Sequence, residues 1–200
     1  MIFAAATNNA KKLKEIKRIL NALGHDAKTL KELGIEIEIE ENGTTFAENA
    51  VIKAKAIADI CKMPTISDDS GLEVDFLNGA PGVYTARYAG ENATDDENID
   101  KLLDALKDVP QEDRGAAFVS SVCLYVPVEN GEDISVVCTG RCPGWIGWER
   151  IGDGGFGYDP IFMVGDVSYS EMSAEEKDKL SHRGKALSLL LEKLNDYMSL

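Results

Sequence analysis

No apolar run in this 200-residue chain approaches the roughly 18 to 20 residues needed to cross a bilayer. Ahead of Ile2-Phe3-Ala4-Ala5-Ala6 there is no basic segment, and the run is too short for a secretory leader, so the expected location is the cytoplasm. The four cysteines, Cys61, Cys123, Cys138 and Cys142, form no Cys-x-x-Cys pair, and a chain of this size needs no covalent staples; buried thiols are expected. Positive charge is also scarce. The net charge is −14, and a field of that sign repels nucleic acid and anionic membranes, which excludes both as partners. Internal repeats, low-complexity tracts and a convincing linker are missing, as is the phosphate-loop pattern GxxxxGK[ST], so a GTPase or a kinase is disfavoured.

What remains is ordinary globular material, 44% apolar and 28% charged, long enough to bury roughly 70% of its unfolded surface. Residues 1–200 are expected to form a single domain without a separable linker. The charge is uneven: residues 1–34 hold seven Lys/Arg against Glu15, Asp26 and Glu32, or +4, and the rest of the chain carries −18. A basic segment on an acidic body suits a small anionic ligand, or else a solvated lysine-rich helix face.

Residues 2–6 read as a buried first strand, with Thr7-Asn8-Asn9 as the loop after it. Leu13, Ile16, Leu20 and Leu23 recur at helical spacing from Ala10 onward, with Gly24 where a helix ends. Ile35, Ile37 and Ile39 alternate with Glu36, Glu38 and Glu40 and predict a half-exposed strand with an acidic face. Thr45-Phe46-Ala47-Glu48, Thr94-Asp95-Asp96-Glu97 and Ser173 with Glu176 are capping boxes that open helices, and Ser181 opens the last one, ending near Tyr197. Thr65-Ile66-Ser67 predicts a short strand running into a tight turn at Asp68-Asp69-Ser70-Gly71. Residues 116–128 and 134–142 read as a hairpin, with a further strand at 144–148. The class is α/β with a mixed sheet.

Four places break local rules. The first helix begins with Lys11 and Lys12, although its N-terminus favours acids; a bound phosphate would relieve that conflict. Asp68 and Asp69 are adjacent carboxylates that repel unless a cation or proton lies beside them, so they form either a solvated turn or, with Glu36, Glu38, Glu40 and Glu41, a set of hard oxygen ligands for Mg²⁺. Phe156 and Tyr158 sit in the glycine-rich stretch 152–157 and its flank, where they can stack on a base or cap the core. Arg183, beside His182, either donates to a carbonyl or pairs with an acid of the preceding helix.

Taken together, Thr7-Asn8-Asn9-Ala10-Lys11-Lys12, Phe46-Ala47-Glu48-Asn49-Ala50, Asp68-Asp69-Ser70-Gly71-Leu72-Glu73-Val74-Asp75, Gly79-Ala80-Pro81-Gly82-Val83-Tyr84, Phe156-Gly157-Tyr158-Asp159-Pro160 and Ser181-His182-Arg183 strongly resemble the inosine/xanthosine triphosphate pyrophosphatase family over nearly the whole chain. The resemblance implies Mg²⁺-dependent hydrolysis of ITP, dITP and XTP to the monophosphate and pyrophosphate, a house-cleaning activity on the nucleotide pool. It implies an elongated two-lobed α/β fold around a long central mixed sheet, with flanking helices, a cleft between the lobes, and a homodimer. Position by position, Thr7, Asn8, Asn9, Ala10, Lys11 and Lys12 match the triphosphate loop, with Lys12 its main cation. Asp69 matches the general base and metal ligand, Ser70 a substrate contact, and Glu40 or Glu41 the acid that completes the metal site. Phe156, Gly157, Tyr158, Asp159, Lys177, His182 and Arg183 match the nucleoside pocket. Two other readings compete: a sensor that binds nucleotide without chemistry, which the intact Asp68-Asp69 and Lys12 argue against, and a pyrophosphatase of modified pyrimidine nucleotides, which the Phe-Gly-Tyr-Asp and Ser-His-Arg motifs disfavour.

Overall fold

The computed structural model describes residues 1–198. Strands β1 (Ile2–Ala5), β2 (Asp26–Lys28), β3 (Thr65–Val74), β4 (Gly115–Val126), β5 (Ile134–Ile146), β6 (Phe162–Val164) and β7 (Val167–Ser168) form one sheet in the order β2-β1-β3-β4-β5-β6-β7. Helices α1 (Ala10–Ala22), α2 (Phe46–Cys61), α3 (Asp95–Ala105), α4 (Ala174–Leu180) and α5 (His182–Met198) flank it. The β1 pairings with β2 and β3 are parallel, whereas β5 with β6 and β6 with β7 are antiparallel, so the sheet is mixed as expected. No described helix is long and apolar enough to cross a membrane.

The chain divides into two compact units. Unit 1 comprises Met1–Asp69, Ser120–Gly140 and the chain from His182; unit 2 comprises Ser70–Val119 and Arg141–Ser181. In unit 1, strand alternation sorts side chains onto two faces. Phe3, Ala5, Ile66, Val122 and Leu124 pack with Ile16 and Leu20 of α1 and Leu187, Leu190 and Leu191 of α5. Their immediate neighbours turn the other way. Cys123 and Tyr125 meet the small stripe Ala50, Ala54 and Ala58 of α2, and Ala4 and Ala6 meet Ile57. Unit 2 has its own core, in which Leu72, Val74, Ile99, Leu102, Leu106, Ile146 and Ile161 pack together, with Phe118, Phe162 and Tyr169 at ring separations of 4.5, 5.6 and 5.7 Å. Arg114, 1% exposed, donates to the carbonyls of Leu106, Ile146 and Gly147 at 2.5 to 2.7 Å.

The capping boxes at Thr45, Thr94 and Ser173 all form, with both reciprocal hydrogen bonds present. Each such cap contributes about 1 kcal/mol. Asn9 caps α1, and Gly24 follows its end at φ +79°. The cysteines form no disulfide, and Cys123, Cys138 and Cys142 are buried.

Three sequence expectations are corrected. Residues 35–39 make no strand ladder: Ile35 and Ile39 pack against Ala4, Ala6, Leu30 and Ile57, and the sheet ends at the short β2. Asp68 to Gly71 is not a turn but the middle of the ten-residue β3, because long-range partners satisfy the carboxylates that would otherwise seek water. The strand expected at 144–148 is the far end of β5, which continues to Ile146.

Candidate active site

The site of unit 1 is organised by β3. Consecutive strand residues point to opposite faces, so Asp68 and Asp69 have separate partners. Asp68, on the α1/α5 face and 1% exposed, meets Lys12 Nζ at 3.1 Å, Arg183 Nη2 at 3.1 Å and the Ser120 hydroxyl. Arg183, also 1% exposed, uses Nη1 on Glu15 of α1. Burial pushes the Asp68 carboxyl up, but the charges of Arg183 and Lys12 and the Ser120 hydrogen bond outweigh it and hold it well below the usual carboxylate range. The same balance raises Arg183: burial disfavours its charge, and Asp68 and Glu15 more than restore it. His182 is buried, and burial together with the adjacent Arg183 lowers it well below its ordinary value, so the imidazole is neutral near pH 7. Arg183 therefore pairs with acids, among them Asp68 of β3 and Glu15 of α1.

Asp69 looks toward α2. Its Oδ1 accepts from Lys53 Nζ at 3.1 Å and its Oδ2 from Asn49 Nδ2 at 3.2 Å. Asn49 and Lys53 are four residues apart, one above the other on a single helix face. Asn49 is itself oriented, because its Oδ1 accepts the Gly43 N–H at 2.8 Å; a Cβ at Gly43 would stand 2.6 Å from that oxygen. Lys53 Nζ also reaches Glu41 Oε2 at 2.7 Å. Burial pulls the Lys53 ammonium down, but Asp69, Glu41 and Asp68 leave it raised overall.

Among the described residues no three Asp, Glu, His or Cys side chains meet as a metal cage. Two carboxylates, Asp69 and Glu41, do converge on one cation, the Lys53 ammonium. Mg²⁺ is usually held by one or two carboxylates plus substrate oxygens, so the pair fits that ion. Of the two acids expected to complete such a site, Glu41 is the one brought to Asp69, and Glu40 is exposed on the same segment.

The turn from β1 to α1 is self-satisfied. Asn9 Oδ1 accepts the Lys11 and Lys12 N–H groups at 3.0 and 3.1 Å, and Thr7 Oγ1 accepts the Asn9 N–H at 3.1 Å. Ala10 opens the helix, whose first turn holds no acid. Beside this turn, Asn8, Lys31 and residues 34–38 line a depression of about 490 Å³.

In unit 2 the loop before β6 has its own carboxylate centre. Asp159, 6% exposed, accepts Lys177 Nζ at 2.9 Å and the Phe156 N–H at 3.2 Å. Gly155, at φ +81°, passes so close that a Cβ would lie 2.0 Å from Asp159 Oδ2. Tyr158 takes the core alternative: it is 4% exposed and donates its hydroxyl to the Thr85 carbonyl at 3.0 Å, and burial raises its pKa. Phe156 and Gly157 are half-buried, and Ser70 is half-buried where β3 enters unit 2.

Lys53, Glu15 and Ser120 escape a reading by motif, and Asn49 lies in Phe46-Ala47-Glu48-Asn49-Ala50 with no role attached to it there. Lys53 did carry a signal, since it interrupts the buried stripe Ala50, Ala54, Ile57 and Ala58 with a charge. Ser120 and Glu15 carry none, because their partners lie 52 and 168 residues away.

Residues 3–193 match the model of the Ham1 family. The chain is 46% identical to a dITP/XTP pyrophosphatase of Photorhabdus laumondii and 47% identical to one of Escherichia coli strain K12, in each case over 96% of both chains. It is also similar to the solved structure of the Staphylococcus aureus Ham1 protein, with a TM-score of 0.85 and 40% identity over 98% of this chain and 100% of that one. With the family model spanning nearly its full length and relatives of this identity, the chain belongs to the Ham1 family.

Proposed function

We propose that this chain is a nucleoside triphosphate pyrophosphatase that hydrolyses dITP, ITP and XTP to the monophosphate and pyrophosphate with the help of Mg²⁺. One observation carries the reading: Asp69 of β3 and Glu41 of the segment before α2 converge on the Lys53 ammonium while Asp68 of β3 gathers Lys12 and Arg183, giving carboxylates for a cation and cations for a polyanion in one unit. The names of the relatives supply the substrate class.

In this reading Asp69 and Glu41 are the ligands of Mg²⁺, which when bound neutralises charge on the triphosphate oxygens. Asp69, steadied by Asn49 and Lys53, accepts a proton from the water that attacks the α-phosphorus. The bond to the bridging oxygen breaks, and its electron pair leaves with pyrophosphate. Lys12 and Lys53 donate hydrogen bonds to the phosphate oxygens. Positioning and charge neutralisation dominate, because such transfers need little covalent help. For the α1 N–H groups to reach a phosphate, the Asn9 cap must release Lys11 and Lys12, a local exchange of one acceptor for another.

The base is assigned to unit 2. Phe156 offers a ring, and Lys177, held by Asp159, offers a donor to a 6-keto oxygen. Adenine presents an amino group at that position and would leave the ammonium unmatched. Arg183 is assigned to holding Asp68 and Glu15. The test is a panel of common and deaminated triphosphates with Mg²⁺, scored for pyrophosphate against single phosphate. Pyrophosphate from dITP, ITP and XTP, with little from ATP and GTP, is expected; single phosphate, or equal rates for all, overturns the reading.

A further inference from the structure

The loop that carries Phe156 is costly to hold in one shape. Gly152, Gly155 and Gly157 all have positive φ, at 74, 81 and 58°, and glycine loses more freedom on ordering than any other residue. One restraint, the Asp159 carboxylate, belongs to the site itself. A second fixes the start of the loop, where the Ile151 N–H donates to the Pro160 carbonyl at 2.8 Å and the Ser168 and Ser170 hydroxyls donate to the Ile151 carbonyl.

A third comes from α3 of the same unit. The Gly157 N–H donates to Asp95 Oδ2 at 2.9 Å. Arg150, just ahead of the loop, reaches Asp96 Oδ1 at 3.3 Å, the Asp96 carbonyl at 3.1 Å and Asp100 Oδ1 at 2.8 Å. The first turn of α3 is acidic throughout, a pattern usually explained by the helix dipole. Here the cap is already complete without Asp95, because Thr94 and Glu97 satisfy each other's N–H groups. That division of labour leaves Asp95 to engage the loop at Gly157, while Asp96 and Asp100 engage Arg150 just ahead of it.

We infer that Asp95 and Arg150 are positioning residues, through which the first turn of α3 sets the geometry of Gly157 and Phe156 for the nucleobase. The inference rests on the reading of Phe156 and Lys177 as base contacts. Its contacts are solvent-exposed and individually weak, so its signature is a salt-sensitive effect on KM rather than a loss of chemistry.

With XTP and Mg²⁺, Asp95→Ala is expected to raise KM roughly three- to tenfold with kcat within about twofold, the scale of one charge-assisted hydrogen bond at an exposed site. The ratio of mutant to parent KM should shrink toward one at high salt, and Asp95→Asn, which keeps a neutral acceptor, should recover part of the loss. Arg150→Ala should act in the same direction and non-additively with Asp95→Ala, and hydrogen exchange across residues 152–158 should quicken in both. If Asp95→Ala fails to fold, Arg150→Ala and its salt series decide alone. Phe156→Ala separates the two ideas. A raised KM there, with parental KM and exchange in the Asp95 and Arg150 variants, overturns the positioning role alone; an unchanged KM for Phe156→Ala overturns the base reading and this inference with it.

Discussion

Asp68 in unit 1 and Asp159 in unit 2 are both buried carboxylates answered by cations, yet they are mounted on different material. Asp68 sits mid-strand, with partners from α1, β4 and α5, all elements whose cores are packed on that same face. Asp159 follows a run of glycines, and its partners are a loop N–H and a lysine of the seven-residue α4. Groups that must hold a fixed angle to a reacting phosphorus gain from rigid elements. Groups that recognise a base gain from a segment able to settle around it.

That contrast is open to attack, most severely at Asp69. Asp69→Asn should lower kcat roughly 10²- to 10⁴-fold, the usual contribution of a positioned general base, with a modest change in KM. Steady-state kinetics with dITP checks it, and unchanged turnover removes Asp69 from the mechanism.

The next effect is on stability. Arg183→Leu takes the guanidinium away from the buried Asp68 and should cost about 3–5 kcal/mol, lowering Tm by roughly 6–20 °C in thermal unfolding. The linked pH dependence has two windows. Asp68 is depressed when folded, so its stabilisation is complete above its ordinary 3.8 and is lost as pH falls through the folded value; Asp68→Asn should flatten that acid limb. His182 is also depressed, but as a base buried neutral, so stability declines as pH drops below 6.5 and the unfolded chain takes up a proton; His182→Gln should flatten that stretch.

The smallest effect belongs to unit 2. Lys177→Ala should narrow the preference for ITP over ATP by roughly 10- to 100-fold while sparing the chemical step. If instead kcat collapses with both substrates, recognition and chemistry are not divided between the units as proposed.

Much of this was legible in the residues, unevenly. Helix starts were plain, since Thr45, Thr94 and Ser173 each form a reciprocal pair with a glutamate three residues on, a wholly local arrangement. The resemblance named Asp69, Lys12 and Lys177, and each of the three has a partner of opposite charge. Local rules failed where distant chain decided. Gly71 and two adjacent acids look like a turn until Ser120 and Arg183, 52 and 115 residues from Asp68, make a strand the better answer. The alternating isoleucines at 35–39 found a cluster to pack on but no neighbouring strand to bond.

The back-to-back placement of Asp68 and Asp69 also constrains how this protein can change. Removing a single residue between Thr65 and Asp68 would slide β3 by one step and swap the two acids, sending the one meant for Lys53 and Asn49 toward Arg183 and the other toward α2. Gradual drift is therefore barred along this stretch: length and parity must be inherited together, even where individual side chains are free to vary.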